Sequence, residues 1–558
     1  MLCVVAGAGY ALLRAATQLT ARAPSGGPID LSVAKLPLYA TFSTLRMAIA
    51  YVISLVFSIA YAKIAAGNRI AERFMLPLLD ILQSIPILSF MPGVVLGMAA
   101  LFPGSEFGVE LAAIVLIFTS QAWNLAFSFH QSLLTIPREL GEAATVYRLG
   151  AWGRFTRLEL PFGAISLIAN SMMSWAGGWF FLTAAEAFVL GPKSFRLPGL
   201  GAYLAGAAET GNAAALGLGL LTLVVVIVLL DVVLWRPLVA WSDRFKIEQS
   251  ASADVPRSGV LDLIEGSALF SALARRVFRP VGLTLDRWLR PKPVAPPIEA
   301  PPGPMTVRWW RRRAVGVAVM VIVVGLAGWG AIATARELVG LPGRDWEHVG
   351  VAAMATFART AVALALAAAW TVPVGVAIGL NPRWSHRAQP VVQVIASVPA
   401  TAVFPIIVLA LIRIPGGLNI GAVLLMLLGT QWYVLFNVIA GATAIPSDLR
   451  EAATTYKVSG WRRWRTLILP AIFPYLVTGM ITATGGAWNA SIVSELVTVD
   501  RKTVSTVGLG ALVTGAANDA NFPLLLAGTI VMAAIVITVN RLVWRRLYGL
   551  AETRYRLE

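Results

Sequence analysis

The side chains of this 558-residue chain that could do chemistry are few, and they come in pairs. Two acids, Glu186 and Glu495, stand at the ends of long apolar runs, where an ionisable group is costly and marks a functional position by default. They suit gate or docking residues near a mouth, or a structural hydrogen bond to a neighbouring helix or the loop that follows. Trp179 and Trp488 precede them by two helical turns. Asn489 stands beside the second Trp where the first copy has Phe180, so a wall built from both would be polar on one side and apolar on the other. Ser84-Ile85-Pro86 and Ser397-Val398-Pro399 interrupt two further runs. A proline frees a carbonyl and kinks a helix, and a freed carbonyl is tolerated where it lines a cavity. These residues can pass a solute; they cannot transform one. No Ser/His/Asp or Cys/His arrangement is present, so no catalytic residue is assigned. No GxxxxGK[ST] sequence is available to bind ATP. One cysteine, Cys3, and three histidines support neither a disulfide framework nor a metal site.

The elements that must position these residues are membrane-spanning helices. The chain is 58% hydrophobic and 13% charged, against roughly 25% charged in soluble proteins. Runs such as 45–62, 211–234, 361–380 and 521–540 approach the ~20 residues that a spanning helix needs. They are continuously apolar, unlike alternating barrel strands. The spacing predicts spans at 1–19, 40–65, 76–102, 109–131, 161–188 and 211–236, then at 312–335, 351–380, 388–411, 417–441, 470–495 and 520–543. The net charge of +17 is concentrated in a few inter-span segments, thirteen Lys or Arg of it in 236–312 alone. That is a positive-inside pattern, not a nucleic-acid footprint. It places both termini in the cytoplasm. Residues 1–240 then form one half, 312–558 another, and 241–311 a cytoplasmic linker with a Pro-rich stretch, PKPVAPPIEAPPGP, that should be extended.

The two halves repeat each other. Arg46 aligns with Arg359, Ser84 with Ser397 and Pro86 with Pro399 at an offset of 313. Trp179 aligns with Trp488 and Glu186 with Glu495 at 309. Six spans separate equivalent points, which makes the repeat parallel, with an axis along the membrane normal. Between spans, PRELGEAATVYRLGAWGRFTRLELP at 137–161 matches PSDLREAATTYKVSGWRRWRTLILP at 446–470. Each has a Pro suited to a helix start, an acid in the first turn (Glu139, Asp448) and a small face, Ala143-Ala144 or Ala452-Ala453.

These two segments resemble the EAA loops of permease subunits of bacterial type I ABC importers, and the resemblance covers about 400 residues. GGWFFLTAAE at 177–186, GAWNASIVSE at 486–495, PGLGAYL and VGLGALV are similar to the nitrate, sulfonate, taurine and bicarbonate branch, here with two permease halves fused. The resemblance implies an all-α polytopic membrane protein of two tandem six-helix permease domains related by a pseudo-two-fold axis. It implies a coupling helix in each loop, docked on one of two ATP-binding cassette subunits. Glu142, Ala143, Ala144 and Gly150, with Glu451, Ala452, Ala453 and Ser459, are the coupling residues. ATP and Mg would sit on the partners, with no cofactor in this chain. A periplasmic or lipid-anchored binding protein would deliver a small anion, and the pathway would work by alternating access in the inner membrane. Six residues after each Glu, where the motif usually has Gly, this chain has Arg148 and Lys457, which predicts a differently shaped turn. A twelve-helix secondary transporter without an ATPase explains the spans but not the two loops.

Overall fold

A computed structural model describes residues 29–103, 105–190, 193–245, 325, 328–330, 332–411, 414–499 and 502–554. The expected spans at 1–19 and, for the most part, 312–335 lie outside the described residues, as does the linker beyond Phe245; the first half's last helix runs past 240 to Ser242. Among the described residues seven helices are long and apolar enough to cross a membrane, and one bent pair is a broken span or a re-entrant loop. The chain groups into two compact units. The larger draws on Met1–His130, Leu167–Arg236 and Glu347–Glu558, the smaller on Gln131–Ser166 and Pro237–Trp346.

In the larger unit, α1 (Leu36–Gly67) is followed by the broken pair α2 (Arg69–Ser84) and α3 (Met91–Leu101). Helix α4 (Glu106–Leu134) then runs on into the smaller unit, where the short α5 (Arg138–Val146) lies. Helix α6 (Leu160–Glu186) returns to the larger unit. A hairpin of β1 (Ala187–Leu190) and β2 (Lys193–Arg196), the short α7 (Leu200–Glu209) and α8 (Ala213–Leu230) complete the first half.

The second half repeats this order. It runs through α9 (Gly343–Gly379), α10 (Pro382–Ser397), α11 (Ala400–Leu411), α12 (Gly417–Thr443), the short α13 (Ser447–Thr455) and α14 (Leu469–Ser494). The hairpin of β3 (Leu496–Val499) and β4 (Lys502–Ser505), then α15 (Leu509–Asn518) and α16 (Phe522–Val539), close it. The architecture is that of an all-α polytopic membrane protein with a duplicated domain. The hairpins are its small exception, unanticipated because each is only four residues a side. Phe188 and Phe195 stack across the first, and the Thr498 and Thr503 hydroxyls meet across the second.

Local sequence explains the irregularities. Pro161 and Pro470 lack the N–H that would continue an α-helical ladder. Each sits just after a π-helical turn, Phe155–Glu159 or Trp464–Ile468, where the register is already changed. The Ser-x-Pro sites, expected to kink a span, break it. In the second half α10 and α11 meet at 75° across Val398-Pro399. In the first, a 3-10 turn at Ile87–Ser89 separates α2 from α3.

Packing between the halves is reciprocal. The first hairpin strand, β1, packs on α15, and β3 packs on α7; α8 meets α10, and α16 meets α2. Surfaces exchanged in both directions are what a pseudo-two-fold produces. Phe195 inserts against Ala516 and Ala517 in this way.

Candidate translocation site

Helices α4, α6, α12 and α14 supply most of the wall of an open cavity of about 450 Å³ in the larger unit, with Gln83, Ile87, Val536, Asn540 and Trp544 completing it. Its polar lining includes Asn124, Asn170, Ser174, Asn437, Thr482 and Asn489, and among the described side chains no charged residue lines it. The spacing places these groups: Asn124 follows Ser120 by four residues, Asn437 follows Tyr433, and Thr482 follows Thr478. Each pair therefore shares one helix face. A smaller cavity of about 80 Å³ adjoins it, lined on one side by Phe180 and on the other by Gln393, Pro399 and Tyr433. Both cavities have Gly177, Tyr433, Gly486 and Asn489 in their walls.

Beside this neutral cavity stand two charged clusters. At the end of α6, Glu186 is wholly buried. Its Oε1 accepts from the Ser43 hydroxyl at 2.6 Å and from Arg46 Nη1, and its Oε2 accepts from the Gly201 amide at 2.6 Å. Arg46 also donates through Nε and Nη2 to both oxygens of Glu110, at 2.6 and 2.7 Å. The Leu200 amide donates to the Ser43 hydroxyl at 2.9 Å. A carboxylate thus caps the N-terminus of α7, where the orphan amides and the dipole favour an anion.

The second half builds the same lock. Glu495 accepts from Thr356 at 2.8 Å, from Arg359 at 2.7 Å and from the Gly510 amide at 2.8 Å. Asn419 replaces Glu110 and accepts from Arg359 Nη2 at 2.7 Å, with Thr506 accepting at 2.9 Å. The glycines of the two GLG sequences are forced by this packing. A Cβ on Gly199 would lie 2.4 Å from the Glu186 carboxylate, and one on Gly508 would lie 2.1 Å from that of Glu495.

The loop helices are also twins. Arg148 and Lys457 adopt the left-handed conformation, with φ of 51° and 53°. The Leu149 amide reaches the Ala144 carbonyl at 2.9 Å and the Arg148 amide reaches that of Thr145 at 2.9 Å; Val458 to Ala453 and Lys457 to Thr454 repeat this at 2.8 and 3.0 Å. This is a Schellman turn, the helix ending that glycine favours. The expectation of two differently shaped turns is therefore corrected: Arg148 and Lys457 take the backbone conformation a glycine would. Gly150 and Ser459, by contrast, are extended N-caps that any residue can supply. Glu142 and Glu451 are exposed, as are Tyr147 and Tyr456 at about four-fifths of their surface.

Residues 41–236 and 371–557 each match the family described as binding-protein-dependent transport system inner membrane component. The chain belongs to this family. It does so twice over, and its relatives account for about half of it or less at a time. The nitrate import permease protein of Synechocystis is 25% identical over 37% of this chain and 69% of the relative. That of Synechococcus elongatus is 27% identical over 27% of this chain and 53% of the relative. The taurine transport system permease protein of Escherichia coli is 25% identical over 41% and 86%.

Within the permease, the residues singled out from sequence divide. Asn489 lines both cavities, Phe180 and Pro399 line the smaller, and Phe180 packs on Ala487 and Ala490 of the other half. Asn489 is committed within the protein: its Oδ1 accepts from the Leu88 amide at 3.3 Å and its Nδ2 donates to the Gly485 carbonyl at 2.9 Å. Pro86 is buried beside Ile87, which lines the larger cavity. The Ser397 hydroxyl donates back to the Gln393 carbonyl at 2.8 Å. Of Ser84 only the backbone is described, at the end of α2. Trp179 and Trp488 are 1% exposed and line neither cavity, and neither do Glu186 and Glu495. Ala144 is buried, Ala143 and Ala453 are half-buried, and Ala452 is exposed. Sequence reasoning missed Asn124, Asn170, Tyr433 and Asn437. The signal was there: Asn124 and Tyr433 directly follow the matched pair Trp123 and Trp432.

Proposed function

We propose that this chain is the two-half permease of an ATP-driven importer, carrying a small oxyanion or zwitterion such as nitrate, bicarbonate, taurine or another sulfonate. The observation that carries the substrate class is the cavity walled by both halves, polar yet, among the described side chains, lined by no charged residue. Amide and hydroxyl dipoles can solvate a small charged solute as it leaves water. They hold it less tightly than an opposite charge would, which suits passage. The substrates named for the relatives are of this class.

Energy enters through the loops. Two cassette ATPases, carrying ATP and Mg, each seat one loop helix against its exposed tyrosine and Glu142 or Glu451. Closure of the cassettes turns the cavity outward, where a binding protein delivers substrate; hydrolysis turns it inward. Both termini and the 241–311 tether lie on the cassette side, and the two-fold axis runs along the membrane normal. A secondary transporter would need a titratable or ion-binding group facing the solute. The matched acids Glu186 and Glu495 are instead held by Arg46, Arg359 and the amides of α7 and α15.

The test is uptake into proteoliposomes holding the permease and its cassettes, with loaded binding protein outside and ATP inside. Uptake of at least one of nitrate, bicarbonate, taurine or an alkanesulfonate, dependent on ATP, is expected. Uptake driven by an ion gradient without ATP contradicts the reading.

A further inference from the structure

The polar groups of the larger cavity are mostly spoken for. Thr478, Thr482 and Thr484 send their hydroxyls to Pro474, the Thr478 carbonyl and Met480, or are linked to them in the same helix at 2.7 to 3.2 Å. Asn437 donates to the Tyr433 carbonyl at 2.8 Å, Asn124 to the Ser174 hydroxyl at 3.0 Å, and Asn489 is bonded at both ends. Tyr433 differs. Its hydroxyl has no hydrogen-bond partner among the described residues, although its ring is part of the wall of both cavities. A phenol is donor and acceptor at once and keeps its proton near neutral pH.

The ring sits where it does because two glycines leave room. A Cβ on Gly177 would lie 3.1 Å from the Tyr433 hydroxyl, and one on Gly486 would lie 3.4 Å from its ring. These glycines are repeat equivalents of each other, on α6 and α14. Both flank one side chain from α12. The position equivalent to Tyr433 in the first half is Asn124, whose amide is already bonded to Ser174. At this matched pair the free hydroxyl is therefore on the second half's side only.

We propose that Tyr433 is the specificity-determining residue of the pathway: at the junction of the two cavities its hydroxyl donates to the anionic head of the passing solute, and Gly177 keeps the space in which it does so. This rests on the transport reading above and adds to it the group that meets the head. A neutral donor distinguishes heads by the geometry and number of their acceptor oxygens, as planar nitrate and bicarbonate differ from a tetrahedral sulfonate. The body of the solute lies against Phe180, Phe181 and Met173 in the smaller cavity.

The experiment compares Tyr433→Phe and Gly177→Ala with the parent permease in the proteoliposome assay, at saturating loaded binding protein, for nitrate, bicarbonate, taurine and an alkanesulfonate. Tyr433→Phe keeps the ring and loses only the donor. It should lower the uptake rate of the best substrate about tenfold, the scale of one hydrogen bond to a charged group, and change the order of the four. Gly177→Ala, which displaces the hydroxyl, should change the order in the same direction. Parent-like rates and order in Tyr433→Phe overturn the proposal. So does loss of assembled complex in Tyr433→Phe, which would assign the hydroxyl to packing. A parent permease that takes up none of the four overturns the transport reading first, and the proposal with it.

Discussion

The two halves are most alike in their charged locks and least alike in their cavity walls. Glu186 and Glu495 each tie a helix end to an arginine on a neighbouring helix and to an amide of the short helix that follows. Yet around the cavity Asn124 faces Tyr433 in the repeat, and Phe180 faces Asn489. A lock does the same mechanical job in each half, so duplication can leave it unchanged. A cavity is single and shared, so two identical walls are not needed, and one can specialise. Among the described side chains, Arg46, Glu186, Arg359 and Glu495 belong to the frame, while the cavity is walled by neutral groups.

The largest expected effect breaks the locks themselves. Replacing Arg46 by Met leaves two carboxylates, Glu110 and Glu186, without their cation, and removing one member of a buried ion pair costs about 3–5 kcal/mol. Arg359→Met leaves only Glu495, still bonded to Thr356 and Gly510. Thermal melting of the purified variants should therefore fall further for Arg46→Met. Equal losses would mean that Asn419 carries as much of its lock as Glu110 does.

The loops sharpen the comparison from the other side, because they should be equal. Glu142→Lys and Glu451→Lys reverse exposed charges and bury nothing new. Each should reduce ATP-driven uptake roughly tenfold, as reversal at a docking contact does, with normal membrane insertion. A large difference between the two would show that the cassettes grip the loops unequally.

The cavity walls should respond unequally. Asn489→Leu leaves the Leu88 amide unpaired, at a cost of about 1–3 kcal/mol. Phe180→Leu is a near volume-conserving apolar change, with a cost of under about 1.5 kcal/mol. Melting should fall more for Asn489→Leu, and the order of transported substrates should shift less than it does in Tyr433→Phe. A reordering as large as that of Tyr433→Phe would give Asn489 the solute-binding role as well.

The smallest effect concerns the turns after the loop helices. Arg148→Gly and Lys457→Gly relieve a left-handed conformation worth about 1 kcal/mol or slightly more, part of which the freer unfolded chain takes back. Hydrogen exchange at the Leu149 and Val458 amides should slow modestly and equally. Faster exchange would show that the long basic side chains stabilise the turns themselves.

Much of this frame was legible beforehand. Apolar run lengths gave the helices, and the offsets of 313 and 309 paired the two halves down to Arg46 with Arg359. What escaped was contact between elements distant in sequence. Nothing local to Glu186 says that its partner is Arg46, 140 residues away, or that its carboxylate forces a glycine at 199. Trp179 and Trp488 attracted notice by type and matched position, but a large apolar ring is more stable inside the helix packing than on a wet wall. Asn124 and Tyr433 carry no such mark, because identity at matched positions points to the shared frame, and it is difference there that marks the cavity.

The account's central claim is that one chain supplies both halves of a permease. The most direct measurement is native mass spectrometry of the complex purified with its cassettes. One copy of this chain with two cassettes, and no other permease chain, is the predicted mass. Two copies of this chain, or one copy with a single cassette, would contradict it.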